Sequence, residues 1–354
     1  MKFKNHVKID NSTSIGDGSP CFIIAEAGVN HDGDIAKAKK LIDIAVKANA
    51  DAVKFQTFSG EKLASKDAML ANYHRKGAIK NKESLKELLR RLELSREDHV
   101  ELFKYAKDRG IRIFSTPFDI QSADFLAELG VGLFKIASFS LTNYPLLQHI
   151  AQKELPIIMS TGLHTLTEIE TAVNIIHEAG NKQLVLLQCT SHYPSEPKDA
   201  NLGVMDTLRL AFDVPVGYSD HTMGIAVALG SVAMGAKVLE KHFTFDKASF
   251  GVDHDASISP EELQDLVRGI RHIEAAIGTS VKTIPEIEKE IQKVHRPSIV
   301  SKSGITKGTV ITRDMLDIKK PGTGIHPQSM DWVVGRKAKR NIEIDRLIKR
   351  EDLE

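Results

Sequence analysis

Charged, imidazole and hydroxyl side chains recur in one kind of place in this chain, at the ends of short apolar runs. Glu26 closes Phe22–Glu26, and Lys54 and Gln56 stand in Ala52–Gln56. Thr116 closes Ile111–Thr116, and Lys135 lies in Leu133–Ala137 just before Ser138 and Ser140. Ser160 closes Pro156–Ser160, and Leu184–Cys189 leads into Thr190, Ser191, His192 and Tyr193. Ser219 closes Val214–Ser219 ahead of Asp220 and His221, while Glu240, Lys241 and His242 close Lys237–His242, with Asp253 beyond. An unpaired buried charge is costly, so a charge near the end of nearly every apolar run points to one shared site. Lys54 and Lys135 beside the hydroxyls of Thr116, Ser138, Ser160 and Ser219 suit a dianion such as a phosphate. The plainer alternative is structural salt bridges, for instance to Glu240, but two buried lysines call for more negative charge than that one carboxylate offers. His221 and His242, with Glu26 and Asp220 near, can hold one divalent ion with positions left open, although a histidine in such a place is often just a hydrogen-bonded core residue. His31 follows the first run as a weaker candidate. His164, His192 and His254 fall in loops, and His164 is expected at the surface.

Eight such apolar runs alternate with stretches of helical periodicity between Cys21 and about Lys282. The runs are nearly continuous in apolar residues, as strands buried on both faces are. The helical patterns cover Ile35–Ala48, Lys82–Leu92, Arg96–Arg109, Ala123–Leu129, Thr167–Ala179, Leu202–Ala211, Ile225–Met234 and Pro260–Ile277. Thr165 to Glu168 and Ser257 to Pro260 carry helix-start chemistry, a capping hydroxyl with an early acid or proline. This alternation predicts a (β/α)8 TIM barrel, with an open doubly wound sheet as the other possibility. In a barrel the active site sits at the C-terminal ends of the strands, which is where the chemistry-bearing residues fall. Lys62–Leu92 would be an excursion over the barrel mouth, and Phe3–Asp10 a short strand closing the bottom.

The pattern changes after Lys282. Residues 283–297 read as a charged helix or linker, and 298–354 as a small separate module, so the barrel domain is 1–282. Ile305–Leu316 and Ile342–Leu353 match weakly at a spacing of 37 positions, which suggests a pseudo-symmetric fold with a thin core that packs on something else.

Composition narrows the function classes. The 354 residues carry 48 basic and 47 acidic side chains for a formal charge of +1, which argues against a nucleic-acid partner. Cys21 and Cys189 are too few for a disulfide scaffold, and both read as small buried hydrophobes. Met1–Lys4 lacks the apolar stretch of a signal peptide. The longest charge-free apolar stretch, Met223–Ala236, is too short and glycine-rich for a membrane span. The expectation is a soluble cytoplasmic protein.

The stretches IAEAGVNHDG, DAVKFQTF, STPFD, FKIAS, NYPLL, IIMSTG, CTSHYP, VGYSDHTMG and LEKHFT resemble the sialic acid synthase family, whose members make N-acetylneuraminate, legionaminate, pseudaminate and related nonulosonates. The tail, with KKPGTGIHP and GRKAKRNI, resembles the antifreeze-like (SAF) domain of these enzymes. The resemblance implies a synthase that condenses phosphoenolpyruvate and water with an N-acylated hexose, such as N-acetylmannosamine or a 2,4-diacetamido-trideoxyhexose, and releases phosphate. It implies that Lys54, Thr116, Lys135, Ser138, Ser160, Ser191 and Ser219 hold phosphoenolpyruvate. It makes His221 and His242 the ligands of a divalent metal that polarises the sugar aldehyde, with Mn2+ the first choice and Mg2+ or Co2+ as alternatives. Glu26 becomes the candidate base for the attacking water, and Gln56, Tyr193, Asp253 and Lys320 the sugar contacts. It also implies a homodimer in which the SAF module of one chain covers the barrel mouth of the other.

Three positions depart from the family pattern. Ser140 stands where an acidic residue is usual, Lys320 where arginine is frequent, and His192 within the CT-x-x-YP loop. GVDHDAS leans towards the sialate and legionaminate branches and KIASF towards the pseudaminate branch, so the sugar is left open. A phosphoenolpyruvate-dependent synthase of another keto-sugar acid and a non-catalytic sugar- or metal-binding barrel are the competing readings. The tail counts against the first, and the retained lysines, histidines and Glu26 against the second.

Overall fold

The structure is a computed structural model that describes residues 2–65, 67–68 and 84–354. The chain divides into two compact units, Met1–Gly278 and Thr279–Glu354.

The first unit opens with a hairpin of β1 (His6–Lys8) and β2 (Ser14–Gly16), paired antiparallel. Val7 and Ile15 of this hairpin, and Phe3 ahead of it, are buried in the main core. Arg112, at the start of a barrel strand, donates to Asp10 at 2.6 Å, and the Lys4 N–H donates to the Lys182 carbonyl. The hairpin thus closes the end of the barrel where strands begin, as the sequence led one to expect of Phe3–Asp10.

Eight parallel strands follow: β3 (Phe22–Gly28), β4 (Ala52–Thr57), β5 (Arg112–Pro117), β6 (Phe134–Ile136), β7 (Ile157–Ser160), β8 (Leu184–Cys189), β9 (Val216–Asp220) and β10 (Val238–His242). Their order is β5-β4-β3-β10-β9-β8-β7-β6, and β5 packs beside β6, so the sheet curls nearly closed. First and last strands pair, with His242 opposite Glu26. This is the TIM-type barrel of the sequence analysis, and the open-sheet alternative falls away. The strands are buried almost throughout because the barrel interior backs one face and helices the other. The helices start where the chain supplies caps. Ser95, Thr165 and Ser259 each form a capping box with the acid three residues on.

Of the excursion Lys62–Leu92, positions 66 and 69–83 lie outside the described residues, as does the first part of the Lys82–Leu92 helical pattern. The helix there runs Leu85–Leu92, capped by Ser84 and Glu87, and buries Leu88 and Leu92. Among the described residues no helix is long and apolar enough to cross a membrane.

The second unit begins with the helix Glu286–His295, then pairs β11 (Ser298–Ser301) with β12 (Leu316–Lys319). The 37-residue repeat is structural. Ile305 and Ile342 exchange a pair of backbone hydrogen bonds of 2.8 Å each, and the 3-10 turns Arg313–Met315 and Arg350–Asp352 occupy matching places. Ile305 with Ile342, Ile311 with Ile348 and Leu316 with Leu353 supply six of the buried residues of a separate small core.

Candidate active site

Most of the residues singled out in the sequence converge on one pocket at the C-terminal ends of the barrel strands. It is lined by Glu26, Lys54, Gln56, Thr116, Lys135, Ser138, Ser160, Ser191, Tyr193, Ser219, His221 and His242, joined by Cys189 and Glu240. Asp253 lies at its edge, with Oδ2 3.8 Å from His242 Nδ1. Lys320 belongs to the second unit, where it is exposed and its ammonium donates to His295 Nδ1 at 3.1 Å.

Both lysines are almost fully buried. Lys54 donates to Thr116 Oγ1 at 3.0 Å and stands 2.8 Å from Glu26 Oε2 and 3.8 Å from Glu240 Oε2. Lys135 donates to Ser160 Oγ at 2.7 Å and to the Ile136 carbonyl at 2.9 Å, with Glu240 Oε1 at 3.8 Å. Thr116 and Ser160 each accept from an ammonium, so each hydroxyl keeps its own hydrogen for a further acceptor. Ser219 donates to Glu240 Oε1 at 3.0 Å. Ser138 Oγ accepts from the Gly162 N–H at 3.0 Å. A Cβ on Gly162 would fall 2.5 Å from Ser191 Oγ and 3.0 Å from Ser138 Oγ, so only glycine lets these two hydroxyls approach this turn.

The charge deficit expected of two buried lysines is corrected here. Glu26, cast as a water base or metal neighbour, is itself a counter-ion of Lys54, and Glu240 serves both lysines. Burial raises the Glu26 carboxyl to about 7 against the pull of Lys54. Burial works the same way on Glu240, but the two lysines outweigh it and hold that carboxyl below its usual range. Burial lowers the Lys135 ammonium. Burial acts likewise on Lys54, but Glu240 and Glu26 outweigh it and keep that ammonium charged. In the sequence Glu240 was weighed only as a structural salt-bridge partner, with no role in the site, which it lines. Its signal was present, a carboxylate one position before Lys241 on the strand that ends in His242.

The imidazoles stand side by side, with ring centroids 5.5 Å apart and Tyr193 over both, 4.1 Å from His221 and 5.6 Å from His242. His221 Nδ1 meets the Thr190 carbonyl at 2.9 Å, which puts a proton on Nδ1, and Cys189 and that carbonyl outweigh burial to raise the imidazolium above its usual range. His242 is held neutral by burial, and its Nδ1 is buried without a hydrogen-bond partner. Gly28, at φ +55°, follows a register shift in β3, and a Cβ there would meet the His242 ring at 3.1 Å. Burial also raises Asp253, to about 6. Among the described residues no group of three or more His, Cys, Asp or Glu is arranged to hold a metal ion. The carboxylate that was to complete a ligand set with the two histidines is the one engaged by Lys54.

Cys21 is the small buried hydrophobe expected, its thiol pushed up by burial. Cys189 is buried too, but it faces the pocket, with Sγ 3.8 Å from His221 Nδ1 and 3.7 Å from Ser191 Oγ. Burial would raise its thiol, and His221 outweighs that to bring it down to about 7. His31 lies outside the site, fully buried against Phe55 and lowered by burial to about 4. His254 is buried between Thr244 and Asp32. His164, expected at the surface, is half-buried because its Nε2 meets the Ser138 carbonyl at 2.9 Å. His192 is exposed and holds the Pro194 carbonyl. Ser140 is buried in the turn after β6 and does not line the pocket.

A parallel barrel that gathers two buried lysines, free hydroxyl donors and paired imidazoles at its strand ends defines an anion-handling TIM-barrel protein. The chain belongs to the NeuB family, whose model matches residues 41–282, and it carries a SAF domain over residues 296–354. It is 45% identical over 339 residues to an N,N'-diacetyllegionaminic acid synthase of Legionella pneumophila, covering 95% of each chain. It is 38% identical over 340 residues to the human N-acetylneuraminate-9-phosphate synthase, covering 95% of this chain and 94% of that one. A crystal structure of N-acetylneuraminic acid synthetase from Leptospira borgpetersenii in complex with citrate matches with a TM-score of 0.73 at 35% identity, over 82% of this chain and 96% of that one.

Proposed function

We propose that the chain is a nonulosonate synthase, which joins phosphoenolpyruvate to the aldehyde of an N-acylated hexose, adds water at C2 and releases phosphate. The observation that carries this reading is the convergence of Lys54 and Lys135 with hydroxyls whose hydrogens are left free. That set binds a compact polyanion at the floor of a barrel. The names of the relatives support the sugar-acid product.

In this reading Lys54, Lys135, Thr116, Ser138, Ser160, Ser191 and Ser219 hold the phosphate and carboxylate of phosphoenolpyruvate. C3 of phosphoenolpyruvate forms the new bond to the aldehyde carbon as the carbonyl π pair moves to its oxygen, which ends as a hydroxyl by taking one of the two protons of the water consumed, and C2 is left electron-poor. Water adds there as Glu26 takes its proton, and C2–O bond cleavage releases phosphate. A carboxyl poised near 7 accepts a proton readily at neutral pH. Arrival of a polyanion replaces Glu26 and Glu240 as partners of the lysines, which frees Glu26 for this step. Gln56, Tyr193 and Asp253 contact sugar hydroxyls.

His221 and His242 fit a divalent cation in part. His242 is a neutral donor with an unpartnered buried Nδ1, and His221 would offer Nε2 on shedding the proton that Cys189 and the Thr190 carbonyl favour, with water and substrate oxygens completing the shell. A manganese, magnesium or cobalt ion held there would supply Lewis-acid activation of the aldehyde. The chain is further proposed to act as a homodimer, with the SAF domain of each chain presenting Lys320 to the sugar in its partner's barrel. A cytoplasmic location is proposed with it, since a phosphoenolpyruvate-consuming enzyme needs that metabolite at hand.

The test is phosphate release from phosphoenolpyruvate with a divalent ion and a panel of N-acyl hexoses. Release that depends on an unphosphorylated or phosphorylated N-acyl hexose supports the reading. Release only with a simple aldose phosphate would make the chain another keto-sugar acid synthase, and binding without release a non-catalytic barrel.

A further inference from the structure

Strand β6 is the least anchored strand of the barrel floor. It stands at one end of the strand order and, among the described strands, pairs with β7 alone, over Phe134–Ile136. The ladder therefore stops short of Ser138. Three further links carry the contact between the two strand ends onward. The Lys135 ammonium donates to Ser160 Oγ at 2.7 Å, the Gly162 N–H donates to Ser138 Oγ at 3.0 Å, and His164 Nε2 meets the Ser138 carbonyl at 2.9 Å. That carbonyl also accepts from the Leu141 N–H at 3.1 Å, a bond within its own turn. The turn that delivers Gly162 and His164 is held in an unusual shape. Leu163, exposed between them, lies at φ +70°, in the left-handed region that a bulky side chain seldom enters. It is fixed from both sides. Thr161 binds the Leu187 carbonyl through its N–H at 3.0 Å and its Oγ1 at 2.9 Å, and Thr165 caps the helix Leu166–Glu178 in a box with Glu168. The reversal at Leu163 brings the Gly162 N–H and the His164 ring onto the same serine. Backbone held in such a region persists where its surroundings over-determine it, often beside a ligand site.

We infer that His164 is a positioning residue for phosphoenolpyruvate, which holds Ser138 where its hydroxyl meets the incoming anion. The inference rests on the synthase reading and adds to it a residue that does not itself line the pocket. Facing a carbonyl, His164 Nε2 carries the ring proton and donates it. Ser138 Oγ accepts from Gly162, so its own hydrogen is free for a substrate oxygen. Without His164 the Ser138 carbonyl keeps only the bond within its own turn. The serine is then held across loops through its hydroxyl alone, the same group that the anion needs. A hydroxyl that must both anchor its loop and bind substrate loses aim, and small misplacements of a substrate-holding group are expensive. The loss falls on bound phosphoenolpyruvate in the ground and transition states alike, so its KM rises while kcat and the sugar KM stay. One neutral hydrogen bond corresponds to a change of about fivefold.

The experiment compares three replacements. In His164→Gln the amide nitrogen sits where Nε2 does, in His164→Asn it reaches only as far as Nδ1, and His164→Leu donates nothing. Initial-rate phosphate release, with phosphoenolpyruvate and an N-acyl hexose varied in turn, gives kcat and both KM values. Calorimetry gives the Kd of phosphoenolpyruvate and the Tm. His164→Asn and His164→Leu should raise the KM and Kd of phosphoenolpyruvate about fivefold and leave kcat and the sugar KM within about twofold. His164→Gln should stay within about twofold of the unaltered chain throughout. Phosphoenolpyruvate affinity unmoved in the asparagine and leucine variants overturns the inference and leaves the synthase reading intact. A loss in the glutamine variant as large as in the asparagine variant also overturns it, because the hydrogen bond is then not the cause. A loss confined to the sugar KM or to kcat does the same. A fall in Tm with affinity kept, or failure of both donor-less variants to fold, makes the residue structural and overturns it too. An unaltered chain that neither binds nor consumes phosphoenolpyruvate overturns the synthase reading and this inference together.

Discussion

Replacing Lys135 with methionine separates an anion-binding role from a structural one. The lysine is 1% exposed, and Nζ reaches Ser160 Oγ at 2.7 Å, the Ile136 carbonyl at 2.9 Å and Glu240 Oε1 at 3.8 Å. At 3.8 Å and an effective dielectric of about 20, a unit charge pair is worth about 4 kcal/mol. An incoming phosphoenolpyruvate oxygen gains a term of that size, but it displaces Glu240 and sheds water. A net loss of about 2–4 kcal/mol in transition-state binding follows, in line with removal of a single oxyanion donor. That corresponds to a fall of roughly 30-fold to 10³-fold in kcat/KM for phosphoenolpyruvate. The fold should tolerate the change. Methionine fills similar space, two hydrogen bonds worth about 1 kcal/mol each are lost, and a cation whose charged form burial already disfavours is removed. Glu240 keeps Lys54 and Ser219. The assay is initial-rate phosphate release with each substrate varied in turn, alongside Tm from calorimetry. A loss under about threefold, or one confined to the sugar KM, would refute the placement of phosphoenolpyruvate at this lysine. A large fall in Tm would make the role structural.

Lys54→Ala should likewise depress phosphoenolpyruvate use far more than sugar use, read from the same two titrations. Chelation should abolish turnover and manganese should restore it, while a His221→Ala, His242→Ala double variant should remain inactive at any ion concentration; full activity in that variant would sink the metal reading. Burial raises the Glu26 carboxyl from 4.5 to about 7, so the folded state favours its protonated form, and that contribution to stability is complete below about 4.5 and lost as pH rises through 7. Glu26→Gln should therefore flatten this part of the stability–pH curve from urea unfolding and remove the acid limb, near 7, of the rate profile. Refolding Glu26→Ala and Lys320→Ala chains together should return about one quarter of wild-type activity if Lys320 acts on the partner's barrel, since half of randomly paired dimers are mixed and each has one intact site; no return refutes the exchanged arrangement.

The barrel and its site were legible in the sequence for one physical reason. A charge inside an apolar strand is expensive, so Lys54, Lys135, Glu26 and Glu240 could be buried only by facing one another. The β/α alternation alone says that all eight strand ends meet at the same mouth. What the sequence withheld was pairing. Glu26 and Glu240 look alike from their positions, yet the geometry lets Glu26 meet Lys54 at 2.8 Å and leaves Glu240 3.8 Å from both lysines. Cys189 looked inert because a cysteine in an apolar run usually is. Only the closure of β8 against β9 brings its sulfur to His221. His164 was misplaced for a similar reason, since its loop folds back to a carbonyl 26 positions away. An apolar cavity beside the pocket was the least legible feature. Its wall joins Val29, Phe118 and Val252 from three separate loops with the leucines of the helix Leu85–Leu92. No periodicity links those residues, because each is apolar toward a shared space rather than toward a neighbour in its own element. The anion floor can be read from burial cost along single strands, whereas a wall or a tie built from loops exists only once the strands have closed and the loops lie over them.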